Sequence, residues 1–372
     1  MENAAKEYAL FMKEIGWNVT IITNRYPKNL PKNDNLEGLS IKRLFFFHSP
    51  LQYLKSLRID LLLAWLFLKP ITLIKLVILF FRYRPVIVNL HFPDHQLFEC
   101  LILKLIFKFK LVISLHGDEV RRVKGLRKKS LRFILYNYLF KSSNFITGCS
   151  NHLLNQHLLN FKEHHNKSLI TIHNGVNNNF IDQTLNEGKK NYVFTASRFV
   201  PDKGLDLLVE AFNQIDSIDL HIAGGDKHDF NQLGLKTLNN VIILGILGQD
   251  SIAKRLVETK LTVIPSREET YGIFIAEALC SGSPIVTTNV GGIPEVISIA
   301  REQLTVKEKI VFDCWVKVVE PDSHSISNGI VTILNNSNSY KEYINLVSGF
   351  RERYRWSNQL ENFNKAINQL KK

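Results

Sequence analysis

The sequence predicts an α/β protein made of two doubly wound domains, and three observations carry that prediction. Short β-branched runs alternate with helical patterns from end to end, the pattern of parallel sheets covered by helices. The runs fall into two groups, so each half is expected to build its own sheet. Between them, residues 173–191 (HNGVNNNFIDQTLNEGKKN) are rich in Asn and Gly and poor in periodic apolar positions, which marks a linker. At 372 residues and 45% hydrophobic content, the chain exceeds one ordinary core and is not composed like a disordered protein. The expected division is a first domain over residues 1–178, a linker over 179–190 and a second domain over 191–350. A C-terminal helix over 351–372 is free to return to the first domain.

The chain opens on MENAAKEYALFMKEIGW, a helical pattern that carries acids and lacks the apolar core of a signal peptide. The four cysteines are scattered and form no C-x-x-C, which suits a reducing cytoplasm and argues against a disulfide frame or structural zinc. In the first half the expected strands are residues 18–23, 39–47, 85–90, 110–115, 144–149 and 169–174. The most apolar region, Ile59 to Pro85, is interrupted by Asp60, Lys69, Pro70 and Lys75. No run reaches the ~20 apolar residues of a spanning helix. It reads as two short helices, either packed in the domain or lying at an interface, with core packing the ordinary outcome.

Charge is unevenly spread: residues 1–180 hold 26 Lys and Arg against 11 Asp and Glu, and residues 181–372 hold 21 against 23. The densest run is RRVKGLRKKSLR, Arg121 to Arg132. It is either a solvated face or a surface for a polyanion such as an anionic membrane. Nucleic acid is disfavoured because no RNP motif, paired Cys/His finger or helix-turn-helix spacing accompanies the run.

In the second half the expected strands are residues 192–197, 219–224, 240–245, 261–266, 284–289 and 315–321. Ligands of doubly wound sheets bind outside the carboxyl ends of the strands, so chemistry is expected just after them. After the first comes RFVPDKG, where Arg198 and Lys203 flank a Pro-Asp turn and Asp202 can cap the following helix. Two cations at a helix start suit a diphosphate, although either alone reads as a surface charge. After the second, Gly224 and Gly225 allow close backbone approach of a ligand or simply a tight turn. After residues 261–266 comes REETYGIFIAEALCSG. There Gly272 turns the chain into a helix, the amides of Gly272 and Ile273 are free, and Glu269 and Glu277 stand eight residues apart. Carboxylates accept from pairs of sugar hydroxyls, or merely complement the helix dipole. His91 and His95 are four apart, but Pro93 between them argues against a helical metal site.

The order ASRFVPDKGLDLLVEA, HIAGGD and PSREETYGIFIAEALCSGSPIVTTNVGGIPEVI resembles the C-terminal domain of the family-4 retaining glycosyltransferases of the GT-B fold, and Glu269 and Glu277 match the family's Glu-x7-Glu motif. RPVIVNLHFPD, KLVISLHGDEV and TIHNGVNNNF resemble the first domain in the same order. The resemblance implies two Rossmann-like domains facing across a cleft. Arg198 and Lys203 would neutralise the diphosphate of a UDP- or GDP-type sugar donor, Glu277 would hold the ribose and Glu269 the transferred sugar. His116 matches a histidine near the anomeric carbon, with Asp118 beside it as a second candidate; without the motif, a buried hydrogen-bonded histidine is the ordinary reading. No cofactor or metal is expected, because the chain has no D-x-D.

The implied activity is metal-independent transfer to a hydroxyl acceptor in cell-surface polysaccharide or glycolipid synthesis. The acceptor would be lipid-linked if the basic half meets the inner membrane surface. A sugar-nucleotide epimerase of the same fold and a non-catalytic anionic-surface binder are the alternatives. Family members begin with a strand and Gly-rich loop before the first helix, so an upstream strand ending in Gly-Gly is also expected.

Overall fold

A computed structural model describes residues 2–46, 58–164, 167–185, 187–235 and 238–370. Met1, Phe47, Asn186, Lys371 and Lys372, which fall in expected elements, lie outside them. The chain divides into two compact units: Met1–Cys149, Leu153–Ile172 and Asn362–Lys372 form one, and Ser150–His152 with His173–Glu361 form the other.

The first unit opens on helix α1 (Glu2–Glu14), followed by β1 (Thr20–Asn24), β2 (Asn33–Leu36) and β3 (Leu39–Leu44). β1 runs parallel to β3, and β2 pairs antiparallel with β3. The hairpin turns on Glu37 and Gly38, both at positive φ (52° and 76°), the conformation that lets a two-residue loop follow the twist of its strands. A separate parallel sheet takes β4 (Ile87–His91), β5 (Lys110–Leu115), β6 (Phe145–Gly148) and β7 (Leu169–Thr171) in that order. The expectation of one sheet per half is corrected here: among the described residues β1 and β4 are both edge strands, and no strand joins them.

Helix α2 (Ile59–Tyr83) corrects a second expectation, since it is one 25-residue helix with Pro70 inside it rather than two short ones. Proline removes one backbone hydrogen bond, but Thr72, Leu76 and Phe80 continue the buried face on the next turns. Helices α3 (Leu97–Ile106), α4 (Asp118–Lys124) and α5 (Leu131–Ser142) follow. In the basic run, Arg122 and Arg132 both fold back onto Asp94, and Arg121 pairs with Asp118 at 3.2 Å. Only part of that run is thus open surface: Lys124, Arg127, Lys128 and Lys129 are exposed and make no ion pair among the described residues.

The second unit holds one six-stranded parallel sheet. In chain order its strands are β8 (Lys190–Ala196), β9 (Asp219–Ala223), β10 (Val241–Ile243), β11 (Thr259–Ile264), β12 (Ile285–Thr288) and β13 (Val316–Val319). Their order in the sheet is β10-β9-β8-β11-β12-β13. β8, β11 and β12 are buried along most of their length, which is why they read as β-branched and aromatic segments without strict polar alternation. The direction of winding reverses between β8 and β11, and that switch point opens a crevice at the carboxyl ends of these two strands.

Two histidines are sealed in the first unit. His157 Nε2 lies 3.1 Å from His164 Nδ1, and His164 Nε2 lies 2.8 Å from Asn137 Oδ1, among the rings of Phe140 and Phe161. Burial pushes His157 down to about 3 and His164 down to about 4. A histidine depressed on folding contributes stability above its unfolded value of about 6.5 and loses it as the pH falls. Protonation of the unfolded chain alone takes about 2 kcal/mol from His157 by pH 5. His157→Phe should therefore cost stability at pH 7.5 and cost about 2 kcal/mol less at pH 5, read from denaturant unfolding at both pH values; an unchanged difference would contradict the burial argument.

Candidate active site

The crevice of the second unit is lined by loops that follow β8, β9, β11 and β12. After β8 the chain passes Arg198 and makes a single 3₁₀ turn, Pro201–Lys203, before helix α6 (Leu205–Phe212). The N-cap is Gly204, not Asp202 as the sequence suggests. Gly204 has φ +64°, and a Cβ there would lie 2.0 Å from the Pro265 carbonyl oxygen, so the two loops meet backbone to backbone. The Asp202 carbonyl instead accepts from the amides of Arg267 and Glu268, at 2.8 and 3.2 Å. Arg267 completes the tie with a two-point ion pair to Asp206, both contacts 2.6 Å, and a 3.2 Å bond to the Pro201 carbonyl. That pairing holds the Asp206 carboxyl below its ordinary range.

This clamp brings together two residues 66 positions apart. Lys203 Nζ lies 2.5 Å from Glu269 Oε2, both half-buried. Arg198 is exposed and has no side-chain partner among the described residues, so it stands as an open cation on the loop next to the pair. The loop after β12 seats against the same place. A Cβ on Gly291 would lie 1.8 Å from the Glu269 carbonyl oxygen, and Gly292 donates to that carbonyl at 3.0 Å. Gly224 and Gly225 have a packing explanation of their own, since added Cβ atoms would strike the Ser197 carbonyl at 1.9 Å and the Phe199 ring at 2.5 Å. The close approach they permit in this structure is therefore to the chain itself.

Gly272, at φ +93°, is the N-cap of helix α7 (Ile273–Cys280). The amides of Gly272 and Ile273 meet no acceptor among the described residues. Glu277 lies on the second turn of α7, half-buried, and no cation pairs with it among the described residues. Withdrawal from water pushes its carboxyl up to about 8.

The first unit holds His116, at the end of β5. Its ring stacks on Phe92 with centroids 4.0 Å apart, and its Nε2 lies 3.0 Å from His91 Nδ1. Behind it runs a chain of polar groups that the sequence reading passed over. Thr147 Oγ1 donates to Ser114 Oγ (3.0 Å), Ser114 to Asn89 Oδ1 (2.9 Å), and Asn89 Nδ2 lies 3.0 Å from His91 Nε2. The order of donors assigns the tautomers: with Asn89 donating, His91 carries its proton on Nδ1 and gives it to His116 Nε2, which leaves His116 with a donor at Nδ1. Burial depresses both rings, His91 to about 4 and His116 well below its ordinary value, so both are neutral at pH 7. The signal for this relay was a polar residue inside each of three mostly apolar strands, Asn89, Ser114 and Thr147. His91 is thus a hydrogen-bonding residue, with both ring nitrogens engaged. Glu119 accepts from the amides of His116 and Gly117, which fixes the loop, and Asp118 pairs with Arg121.

Glu277 makes a pH-dependent cost. Folded, it keeps its proton up to about pH 8; unfolded, it releases it near the ordinary value, so stability falls as the pH rises through that window. Glu277→Gln should gain on the wild type by roughly 2 kcal/mol between pH 5 and pH 9 in denaturant unfolding, the full shift being reduced by water that reaches the carboxyl. A constant difference across that range would contradict the raised value.

Family models cover both halves of the chain. The model described as Glycosyltransferase Family 4 matches residues 1–180, and that described as Glycosyl transferases group 1 matches residues 176–347. An uncharacterised glycosyltransferase of Methanocaldococcus jannaschii is 28% identical over 56% of this chain and 57% of its own. N-acetyl-alpha-D-glucosaminyl L-malate synthase of Bacillus anthracis is 28% identical over 51% of this chain and 52% of its own. The chain thus spans little more than half the length of these relatives. The structure of a sucrose-phosphate synthase from Thermosynechococcus elongatus superposes with a TM-score of 0.72 over 98% of this chain and 92% of that one, at 17% identity, a likeness of fold. With both halves matched and the GT-B fold shared, the chain belongs to the family-4 glycosyltransferases.

Proposed function

We propose that the protein is a retaining, metal-independent glycosyltransferase that moves a sugar from a UDP- or GDP-type donor to a hydroxyl acceptor, in the synthesis of cell-surface polysaccharide or glycolipid. The observation that carries this reading is the Lys203–Glu269 pair at the β8/β11 switch point, beside the open cation Arg198 and the free amides that begin α7.

In the reaction, the bond from the sugar's anomeric carbon to the diphosphate breaks with its electron pair leaving on the diphosphate, a bond to the acceptor oxygen forms, and the acceptor hydroxyl's proton passes to the departing diphosphate. Negative charge grows on the departing diphosphate. Arg198, the amides of Gly272 and Ile273 and, once released from Glu269, Lys203 meet that charge, so they stabilise the transition state more than the ground state. Without ligand, Glu269 occupies Lys203. On donor binding the lysine turns to phosphate and the carboxylate is released to accept from hydroxyls of the transferred sugar. Glu277 takes the ribose, whose hydroxyls donate to its carboxylate and favour the ionised form.

His116 enters as a neutral donor through Nδ1, because the relay already occupies its other nitrogen. Gly224 and Gly225 keep the loop after β9 tight against that after β8 on the donor side. The exposed cations Lys124, Arg127, Lys128 and Lys129 support an anionic inner-membrane surface as the place of work and a lipid-linked acceptor.

Lys203→Ala and Arg198→Ala should each lower kcat/KM by about 100-fold without lowering the unfolding midpoint by more than a degree or two, as for removal of one preorganised donor to a developing anion. Activity should persist in EDTA. Near-normal turnover in Lys203→Ala, loss of activity in EDTA, or product formed from donor with no acceptor present would each overturn the reading.

A further inference from the structure

Helix α2 carries apolar residues on its exposed side as well as on its buried one. Its inner face is buried at Lys69, Thr72, Leu76 and Phe80. The two polar members are fixed there: Lys69 pairs with buried Glu99 at 2.7 Å, and Thr72 donates to the Phe45 carbonyl at 2.9 Å. Its outer face exposes Leu63, Phe67, Ile71, Ile74, Ile78 and Phe81, with Phe67 71% and Phe81 63% exposed. These six recur every three or four residues, so they form one stripe about 27 Å long. Scattered apolar side chains are ordinary on a surface, but a continuous stripe marks something that covers it.

The neighbouring helices expose apolar residues too. α3 packs beside α2 and α5 beside α3. α3 exposes Leu105, and α5 exposes Leu131 and Ile134 one turn apart.

Charge decides what the cover is. No Asp or Glu occurs between Leu61 and Pro93, and Lys75, Arg82 and Arg84 are exposed along or just beyond α2. Lys124, Arg127, Lys128 and Lys129 add four open cations just before α5. On α2, apolar residues flanked by cations with no intervening acid match a bilayer with anionic headgroups. Among the described residues no helix is long and apolar enough to cross a membrane, and the buried Lys69–Glu99 pair holds one face of α2 to the protein.

We propose that the outer face of α2, with the exposed apolar residues of α3 and α5, inserts into the headgroup–acyl boundary of an anionic bilayer with α2 lying in the membrane plane. This rests on the membrane reading above and adds to its electrostatic attraction an apolar contact that salt does not screen.

The test is co-sedimentation of the full chain with phosphatidylcholine vesicles containing phosphatidylglycerol, at low salt and at salt high enough to screen surface charge. The wild type should retain a bound fraction at high salt. Phe67→Glu/Ile74→Glu/Ile78→Glu should lower that fraction by at least about tenfold while leaving the unfolding midpoint in place. If this variant is destabilised, Phe67→Ser/Ile78→Ser should give the same loss. Complete release of the wild type by salt, or wild-type binding by a stable variant, would overturn the proposal. So would a wild-type dimer that ignores vesicles and becomes monomeric in the variant, since a second copy would then cover the stripe. None of these readings depends on transferase activity.

Discussion

The second unit's site depends on loops that touch backbone to backbone at the carboxyl edge of its sheet. Gly204 meets Pro265 and Gly291 meets Glu269 at distances no Cβ could share. Parallel strands lie a fixed spacing apart, so side chains between their outgoing loops would hold those loops open. With glycine at the contacts, the loop after β8 and the loop after β12 both close on the loop after β11. Arg267 adds a charged clamp from the middle loop to the first. Lys203 and Glu269 are neighbours as a consequence of this framework.

The electrostatics of the site are what the proposed donor, with both anionic and hydroxyl groups, would require. Among the described residues Arg198 has no side-chain partner, Lys203 is held by a carboxylate that a phosphate can replace, and Glu277 is withdrawn from water without a counter-ion. A protein selected for stability alone gains nothing from the last of these. Its cost is the kind that functional sites carry and the surrounding packing offsets.

Much of the fold was legible in the sequence because the strands of the second unit are largely buried and read as β-branched and aromatic runs such as YVFTAS and PIVTTN. The hairpin strand Asn33–Leu36 was not, since all four residues are exposed and only Leu36 is apolar. Its one signal was the Glu37-Gly38 turn. Pro70 suggested a break in α2 that packing of the inner face overrides. The positions of Lys203 and Glu269 just after strands were visible, but their contact depends on β8 lying beside β11, a non-local pairing no local pattern encodes. The relay behind His116 was hidden for the same reason. Asn89, Ser114 and Thr147 lie in separate strands, and they become one chain only when β4, β5 and β6 stand side by side.

The central claim is that the crevice at the β8/β11 switch point takes a nucleoside diphosphate group. Hydrogen exchange with UDP or GDP present, read peptide by peptide, tests it most directly. The account predicts that at least one of them slows exchange in residues 198–204 and 269–277, where free amides and loop backbone would meet the ligand. Binding of either nucleotide with protection confined to other segments, or no protection by either at saturating concentration, would contradict it.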